Sequence, residues 1–556
     1  MVSDGSPAEG NPNIVESRGL VKKVPSKLSS IIMPKGLTPH LKTAVKGSTL
    51  VLASAIGSNL LWFFIKIFII RNTTTAEFGI YTLVLTVVSI LTSVAPLGIP
   101  SGVTRFVSIY QGEGKVEEAD GMSRAGVQMM LALGLAAFFF LYFLAGPIAR
   151  DFFYTPGLAG PLRIVSVVVP VMLYASAVAS VLIGRGLIGQ KLLGDLLSPV
   201  LYAGLLGAAI FLQMRLTGIL HAYVISSILV YGLVAAYGFW KLGGAPLLPK
   251  RGQRHWELLK FSTPLTISTI TSLVLVWADT LMIGRYINAQ AVGTYGVSVS
   301  LVKLLLFPLS ALGFVFLPIA GDIYAKKQMG ELHRTYQVLT KWLFAATLPI
   351  FFVLFFFPEM SITALFGSRF PDAALPLRLL ALGFMMHTFF GTNGMLLVVM
   401  GFPKTIMKIS VAAAAVNIAL NYIFLKSMGM GIAGGALATM ISYILINIMY
   451  SVKLYQHSRM HPFSASYLKP VAGAAGVGLA IYIMAKSLPL SIWMLPVYFV
   501  LFTAGYVASL LLSRSIEEED LFLLERVLNR LGARPEPVLA FLERFAPKIA
   551  KPGVDV

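Results

Sequence analysis

Apolar residues along this chain fall into fourteen stretches, separated by short polar segments. Each stretch is long enough to cross a bilayer, since a crossing helix needs about 20 mainly apolar residues. The pattern therefore predicts an all-α integral membrane protein with about fourteen transmembrane helices. The predicted spans cover residues 48–70, 78–109, 123–145, 164–183, 194–214, 218–240, 262–284, 292–320, 342–357, 375–400, 405–425, 432–452, 468–485 and 492–512.

Positive charge alternates between the polar segments. Every second loop and both tails together hold 33 of the 44 lysines and arginines, whereas the remaining loops hold nine and two lysines lie inside spans. By the positive-inside rule, this alternation predicts a multi-pass protein of the cell membrane with both termini in the cytoplasm. The net charge of +20 then belongs mostly to loops that face an anionic leaflet, so we do not expect nucleic acid as a partner.

The chain also repeats itself. A shift of 214 residues superimposes polar and glycine positions without a gap, and six predicted spans separate the two copies. Because six is even, the copies have parallel topology, and their pseudo-twofold axis runs along the membrane normal, as in many transporters. The matched pairs are Lys46 with Lys260, Ser48 with Ser262, Arg71 with Arg285, Gly79 with Gly293 and Tyr81 with Tyr295.

The repeat predicts two six-helix lobes followed by two additional helices. The predicted parts are a cytoplasmic tail over 1–45, an N-terminal lobe over 46–240, a basic linker over 241–260, a C-terminal lobe over 261–455, two further spans over 456–513 and an amphipathic cytoplasmic tail over 514–556. The second and eighth spans are long and are interrupted by glycine and proline, at Pro96–Pro100 and at Pro308–Pro318. We expect breaks at matching places in the two lobes, facing protein or a wet cavity.

Several local motifs resemble those of a known family. They are Ala76–Tyr81 (AEFGIY), Leu97–Pro100 (LGIP), Arg105–Phe106, Asn417-x-x-x-Asn421 and the glycine-rich run Gly429–Thr439. The chain resembles polysaccharide repeat-unit flippases of the multidrug/oligosaccharidyl-lipid/polysaccharide exporter superfamily.

The resemblance implies two six-helix bundles around a central cavity that works by alternating access. It implies a substrate that is an isoprenoid-(pyro)phosphate-linked oligosaccharide, moved from the cytoplasmic to the outer leaflet for surface glycan synthesis. It also implies membrane lipids and glycan-assembly enzymes as partners, and a mechanism that needs only a monomer.

Lys303 is the leading candidate for holding the lipid phosphate. It lies ten residues into the eighth span, about 15 Å deep at 1.5 Å per residue and so close to the middle of a ~30 Å hydrocarbon core. An ionisable side chain at that depth usually faces a cavity. We expect Asn59, Arg105 and Arg185 to contribute to the same cavity.

The outer gate is predicted from repeat-related charges. Lys66 aligns with Thr280, next to Asp279, so these two opposite charges lie at nearly equal depth in the first helix of each lobe. We expect them to approach each other across the axis and latch the outer gate. Arg71 and Arg285 flank the outer mouth at matching positions.

The remaining intramembrane polar residues are assigned structural roles. Asn393, Asn417 and Asn421 are expected to hydrogen-bond neighbouring helices, and His387 is expected to be satisfied structurally rather than to relay protons. With no cysteine in the chain, no thiolate metal site or iron–sulfur cluster is predicted, and no cofactor. Coupling to an ion gradient or to the membrane potential stays open.

Two other classes of function compete with a flippase. A multidrug or cation antiporter of the same superfamily would need intramembrane acids, of which Asp279 is the main one. A lipid II-type peptidoglycan precursor flippase would share the fold. A membrane glycosyltransferase or an ATPase is disfavoured because the chain lacks Asp-x-Asp, clustered His/Glu and Walker-type motifs. We therefore expect a transporter and not an enzyme.

Overall fold

The structure is a computed structural model that describes residues 39–187, 189–244, 255–464, 467–487 and 493–513, together with isolated positions between 515 and 538. These described residues form helices and connecting turns, with no strand among them. Most of the two predicted tails and residues 245–254 of the predicted linker lie outside the described residues.

We refer to helices α1–α8 as the first half and to α9–α17 as the second half. The first half consists of α1 (Pro39–Asn72), α2 (Thr75–Val94), α3 (Ile99–Gly112), α4 (Val116–Pro147), α5 (Ala159–Ser166), α6 (Val168–Gly184), α7 (Gly189–Phe211) and α8 (Arg215–Leu242).

The second half repeats this order and is followed by two more helices. It consists of α9 (His255–Tyr286), α10 (Ala289–Val302), α11 (Leu306–Ala325), α12 (Met329–Phe356), α13 (Pro358–Phe366), α14 (Ala374–Phe389), α15 (Asn393–Val399), α16 (Pro403–Asn421) and α17 (Gly431–Ser458). The additional helices are α18 (Leu468–Lys486) and α19 (Met494–Leu512).

Helices occupy all fourteen predicted spans. Within the described residues, eleven helical segments are long and apolar enough to cross a membrane. The other three predicted spans lie on α1, α9 and α18. The structure thus establishes an all-helical, multi-pass protein, whereas fourteen crossings and cytoplasmic termini stay predictions.

The break in the second span is present. Helix α2 ends at Val94 and α3 begins at Ile99. Between them Leu97 and Gly98 both take positive φ, at 49° and 71°. Gly98 adopts this left-handed conformation without the steric cost that a side chain would add, so it serves as the residue before the first turn of α3.

The eighth span breaks at a different place from the one predicted. Helix α10 ends at Val302, a short 3₁₀ turn covers Lys303–Leu305, and α11 begins at Leu306. Pro308 lies in the first turn of α11, where a missing N–H costs no intrahelical hydrogen bond, and Pro318 lies inside α11. The prolines therefore do not interrupt this span, and the two breaks are not at matching repeat positions.

The starts of α2 and α10 obey the 214-residue repeat. Thr74 caps α2 by accepting a hydrogen bond from the backbone N–H of Glu77 at 3.2 Å. Asn288 caps α10 by accepting one from the N–H of Ala291 at 2.8 Å. Both the caps and their donors are 214 residues apart. The repeat seen in the sequence is therefore also a repeat of local structure.

The two additional helices attach to the second half through aromatic side chains. The Phe502 ring of α19 stacks on Phe352 of α12 with centroids 4.1 Å apart. Tyr498 stacks on Phe357 at 5.0 Å. Such offset-stacked pairs add to the packing of helices that have no hydrophobic drive to associate in lipid. The additional helices thus extend one side of the bundle.

Candidate functional site

A cavity of about 420 Å³ lies between the two halves. Its volume is typical of a small-molecule site. Three of the residues predicted for transport line it, namely Asn59, Lys66 and Lys303. The complete lining is Asn59, Trp62, Phe63, Ile65, Lys66, Ile69, Tyr81, Leu85 and Ser89 from the first half, and Trp277, Ser300, Lys303, Leu304 and Phe307 from the second.

The helix break brings Lys303 to this cavity. Lys303 is the first residue of the 3₁₀ turn that joins α10 to α11, and its backbone N–H still bonds to Val299 and Leu301. Its ammonium lies 5.6 Å from the centroid of the Trp277 ring. A short 3₁₀ segment inside a long helix often marks a functional hinge or a strained sequence. The interruption that proline was expected to cause is thus found at the lysine itself.

Two cations share the cavity without an acid. Lys66 of α1 and Lys303 line the same cavity. Among the described residues that line the cavity, none is an aspartate or a glutamate. A cleft with low-dielectric walls and a single sign of charge attracts counter-ions. The cavity is therefore suited to an anionic ligand.

The repeat relates opposite walls of the cavity. Trp277 corresponds to Phe63, and Lys303 corresponds to Ser89, each at the 214-residue offset. All four residues line the same cavity. The cavity therefore lies near the axis that relates the halves. The aromatic positions keep their character in both halves, whereas Lys303 has a serine as its repeat partner.

Asp279 turns away from Lys66 in this structure. One carboxylate oxygen accepts a hydrogen bond from the Tyr295 hydroxyl at 2.7 Å, and it also accepts one from Thr439. The other accepts from Asn421 Nδ2 at 2.8 Å. Three donors from the second half hold the buried carboxylate there, so the predicted ion pair with Lys66 is not formed.

A buried oxygen next to Asp279 has no hydrogen-bond donor. The Oδ1 atom of Asn421 is buried and accepts no hydrogen bond within the described structure. The Asn417 side-chain oxygen lies 3.3 Å from Asn421 Nδ2. Carboxylate, amide and hydroxyl oxygens thus converge around Asp279, and such oxygen ligands suit hard cations.

The two arginines predicted to reach the cavity lie elsewhere. Arg185 forms an ion pair with Asp120 at the start of α4, and both side chains are about one-fifth exposed. Arg105 stacks on Phe261 of α9 at 4.4 Å from the ring centroid. Neither arginine lines the cavity. Arg185 was misplaced because its acidic partner is distant in sequence, and no helical spacing connects the two.

The arginines at the predicted outer mouth reach across to the opposite half. Arg71 donates to the backbone oxygens of Leu365 and Ala364, at 2.7 Å each. Arg285 stacks over the Tyr154 ring at 4.3 Å. Each of these repeat-related arginines thus contacts the other half: Arg71 contacts α13, and Arg285 contacts the segment that follows α4. The contacts close this end of the bundle.

Arg369 is a third member of this closure that the sequence did not reveal. Its guanidinium donates to the backbone oxygens of Ile70 and Thr73, at 2.9 and 3.0 Å. These carbonyls lie at the end of α1, where helical oxygens have no partner within the helix. Only its position in a loop poor in basic residues distinguished Arg369 in the sequence.

His387 lies in a polar network within the second half. Its Nδ1 atom lies 3.1 Å from Asn447 Oδ1. Asn393 donates to the Asn447 backbone oxygen at 3.1 Å and to the Ser451 hydroxyl at 3.0 Å. These contacts join α14, α15 and α17, in agreement with the structural role expected of these side chains.

The fold and the cavity define a class of protein. A multi-pass helical bundle with an internal repeat, and with a polar chamber between its halves, is the architecture of a membrane transporter. The sequence profile of the family described as polysaccharide biosynthesis protein matches residues 44–324. The chain belongs to this family. The profile described as MatE also matches, over residues 264–423. The chain therefore combines the profile of this family with the architecture of a membrane transporter.

Individual relatives agree with this assignment. An uncharacterized membrane protein of Methanocaldococcus jannaschii is 23% identical over 205 residues, which cover 36% of this chain and 40% of that protein. A probable low-salt glycan biosynthesis flippase of Haloferax volcanii is 22% identical over 229 residues, covering 40% and 48%. The chain thus matches less than half the length of these relatives.

The fold is shared with a solved flippase. The lipid II flippase MurJ, in an inward closed conformation, superimposes with a TM-score of 0.69 at 18% identity. The superposition covers 82% of this chain and 97% of that one. At this level of identity the match establishes the architecture.

Proposed function

We propose that this protein is a flippase that moves an isoprenoid-(pyro)phosphate-linked oligosaccharide from the cytoplasmic to the outer leaflet. The observation that carries the proposal is that Lys66 and Lys303, one from each half, line the same cavity. The described lining also includes aromatic side chains and no carboxylate. The relatives include a probable glycan biosynthesis flippase, which supports the same substrate class.

The chemistry of the substrate explains the two lysines. A phosphate-linked sugar carries negative charge and many hydroxyl groups, so it cannot cross hydrocarbon without losing its hydration. A lysine ammonium binds phosphate as a compact point charge. Because Lys66 and Lys303 belong to different halves, a phosphate between them cancels their mutual repulsion and draws the halves together. Movement of one half against the other then carries the headgroup across by alternating access.

The charge of the cavity disfavours the cation antiporter alternative. The MatE profile match shows that the second half shares sequence features with multidrug transporters. However, a cationic substrate would meet two positive charges and no carboxylate in the cavity lining. A lipid II-type substrate has an anionic headgroup as well and is compatible with the same cavity.

We also propose that transport is coupled to an ion gradient through Asp279. The carboxylate is buried, and it has oxygen atoms of Asn417 and Asn421 as neighbours, one of which lacks a donor. A small cation or a proton there would neutralise the carboxylate and release the donors that now hold it. The site lies in the second half and is separate from the cavity lining.

Reconstitution into proteoliposomes tests the flippase proposal. We expect transport of a polyprenyl-diphosphate-linked N-acetylglucosamine, with lipid II and a cationic dye as competing probes. Lys303→Gln and Lys66→Gln should each reduce flipping about 10- to 100-fold, the value of one charge-assisted phosphate contact. Lys326→Gln is the matched control, because this lysine is exposed and pairs with Asp322 on the surface.

Each competing result would point to a different function. Efflux of the dye without movement of either lipid would overturn the flippase proposal in favour of an antiporter. Movement of lipid II in preference to the simple glycolipid would identify a peptidoglycan precursor flippase. Full flipping activity in both lysine variants would exclude the cavity lysines as the phosphate-binding groups.

A further inference from the structure

We propose that Phe63 and Trp277 form the sugar-binding part of the cavity, and that they stack on the hexose bonded directly to the lipid phosphate. The inference rests on the proposed function and deepens it. In this proposal the two aromatic residues determine specificity for the first sugar of the glycan, and the lysines bind the phosphate.

The two rings approach the cavity from opposite halves. Phe63 lies on α1 and Trp277 lies on α9, and they are related by the 214-residue repeat. Trp277 lines the cavity, and the Lys303 ammonium lies over its ring. The neighbouring Trp62 differs, because its ring packs on Tyr202 at 5.5 Å.

The geometry of Lys303 links the aromatic wall to the phosphate. The Lys303 ammonium lies 5.6 Å from the centroid of the Trp277 ring. A phosphate that contacts this ammonium therefore lies next to the indole. A sugar esterified to that phosphate through its anomeric oxygen reaches the indole face, because only one oxygen separates it from the phosphorus.

The chemistry of a hexose ring matches these walls. One face of a pyranose presents C–H groups whose hydrogens carry partial positive charge, and the face of an aromatic ring carries partial negative charge. The hydroxyl groups project around the edge of the sugar ring. Asn59, Ser89 and Ser300 line the same cavity and supply polar groups for them. The site thus combines apolar faces with a polar rim.

Binding measurements on the full-length protein in detergent test this inference. We would compare two synthetic probes: a short-chain polyprenyl diphosphate, and the same lipid carrying one N-acetylglucosamine. For the wild type we expect the sugar to tighten binding about tenfold, the upper range for an aromatic stacking contact. Trp277→Ala should remove this increment, so that the variant binds the two probes with affinities within twofold of each other.

Matched variants separate stacking from folding. Trp277→Phe keeps an aromatic face and should retain most of the sugar increment, whereas Phe63→Leu keeps the volume and should lose part of it. Trp493→Ala is the control, because this tryptophan is 85% exposed and is absent from the cavity lining. Folding is monitored by thermal denaturation of each variant.

The outcomes distinguish this inference from the proposed function. If the wild type binds both lipids equally, or if Trp277→Ala weakens both to the same extent, the aromatic site is refuted while the phosphate-binding cavity stands. If the wild type binds neither lipid, the flippase proposal itself fails, and the sugar site fails with it.

Discussion

Gly79 and Gly293 face each other across the contact between α2 and α10, each against the backbone of the other helix. A Cβ atom added to Gly79 would lie 1.7 Å from the carbonyl oxygen of Ala289, and one added to Gly293 would lie 2.2 Å from that of Thr75. Gly79 and Gly293 are 214 residues apart, and so are Thr75 and Ala289. The contact is therefore reciprocal, as a twofold relation between the halves requires.

Alanine at either glycine should force α2 and α10 apart. A backbone carbonyl cannot move aside as a flexible side chain can, so we expect Gly79→Ala and Gly293→Ala to cost about 1–3 kcal/mol or more in stability. Thermal unfolding in detergent measures the effect. Gly204→Ala on α7 is the control, because a methyl group there meets nothing within 4 Å. Unchanged unfolding in the two crossing variants would contradict the close approach.

Opening of the predicted outer mouth can be followed by cysteine labelling, since the native chain contains no cysteine. Ser89→Cys places a thiol in the cavity lining. We expect a membrane-impermeant maleimide added outside to label it slowly. Adding Arg71→Ala or Arg369→Ala should raise this rate about fivefold, because each removes roughly 1 kcal/mol of closing contacts.

Labelling from the cytoplasmic side would place the gate at the opposite face of the membrane. If the arginine variants increase labelling only from the cytoplasmic side, then the membrane orientation predicted from the charge pattern is inverted. Lys486→Ala serves as a control, since it removes a basic residue of α18 that stacks on Tyr482 and contributes nothing to the closure.

Substitution of Asp279 should uncouple transport from its driving ion and leave headgroup binding intact. Asp279→Asn keeps the shape of the side chain and removes its charge. Because Asp279 does not line the cavity, the affinity for the sugar-free lipid should change less than twofold, while gradient-driven flipping should fall at least tenfold. Flux with and without imposed sodium and proton gradients measures this. A variant that still responds fully to both gradients would exclude Asp279 as the coupling site.

Arg185 should affect stability rather than substrate binding. Its ion pair with Asp120 is partly buried, so Arg185→Ala should destabilise the protein by about 1–3 kcal/mol, because it leaves a carboxylate unpaired. The exchange Arg185→Asp with Asp120→Arg should recover much of this loss. Lipid affinity is expected to stay at the wild-type value. If Arg185→Ala lowered lipid affinity without lowering stability, Arg185 would be a substrate-binding residue.

The sequence was most informative where it repeats. The hydropathy pattern anticipated the positions of the helices, the 214-residue offset related Gly79 to Gly293, and the depth argument indicated that Lys303 faces a cavity. Such features depend on spacing along one chain. Two of the three donors to Asp279, Asn421 and Thr439, could not be predicted in this way, because they come from α16 and α17, more than a hundred residues away. The 3₁₀ turn at Lys303 was missed because a proline can begin a helix as well as break one.

Similarly, nothing in the sequence distinguished Phe63 and Trp277 as cavity residues. A tryptophan and a phenylalanine within apolar runs look like ordinary lipid-facing residues. Only the arrangement of α1 and α9 shows that both rings face a common space. Arg369 was missed for a related reason, since its acceptors are backbone carbonyls, and these carry no sequence signal.

The departure from twofold symmetry at Lys303 and Ser89 gives the chamber a direction. A perfectly symmetric chamber would accept a headgroup in two equivalent poses, and its lipid chain would leave by either of two lateral openings. Trp277 and Lys303 line the cavity from the second half, whereas Phe63, Lys66 and Ser89 line it from the first, so the two walls are not equivalent and one pose is preferred. The two duplicated halves can thus move against each other while the bound headgroup keeps one orientation between them.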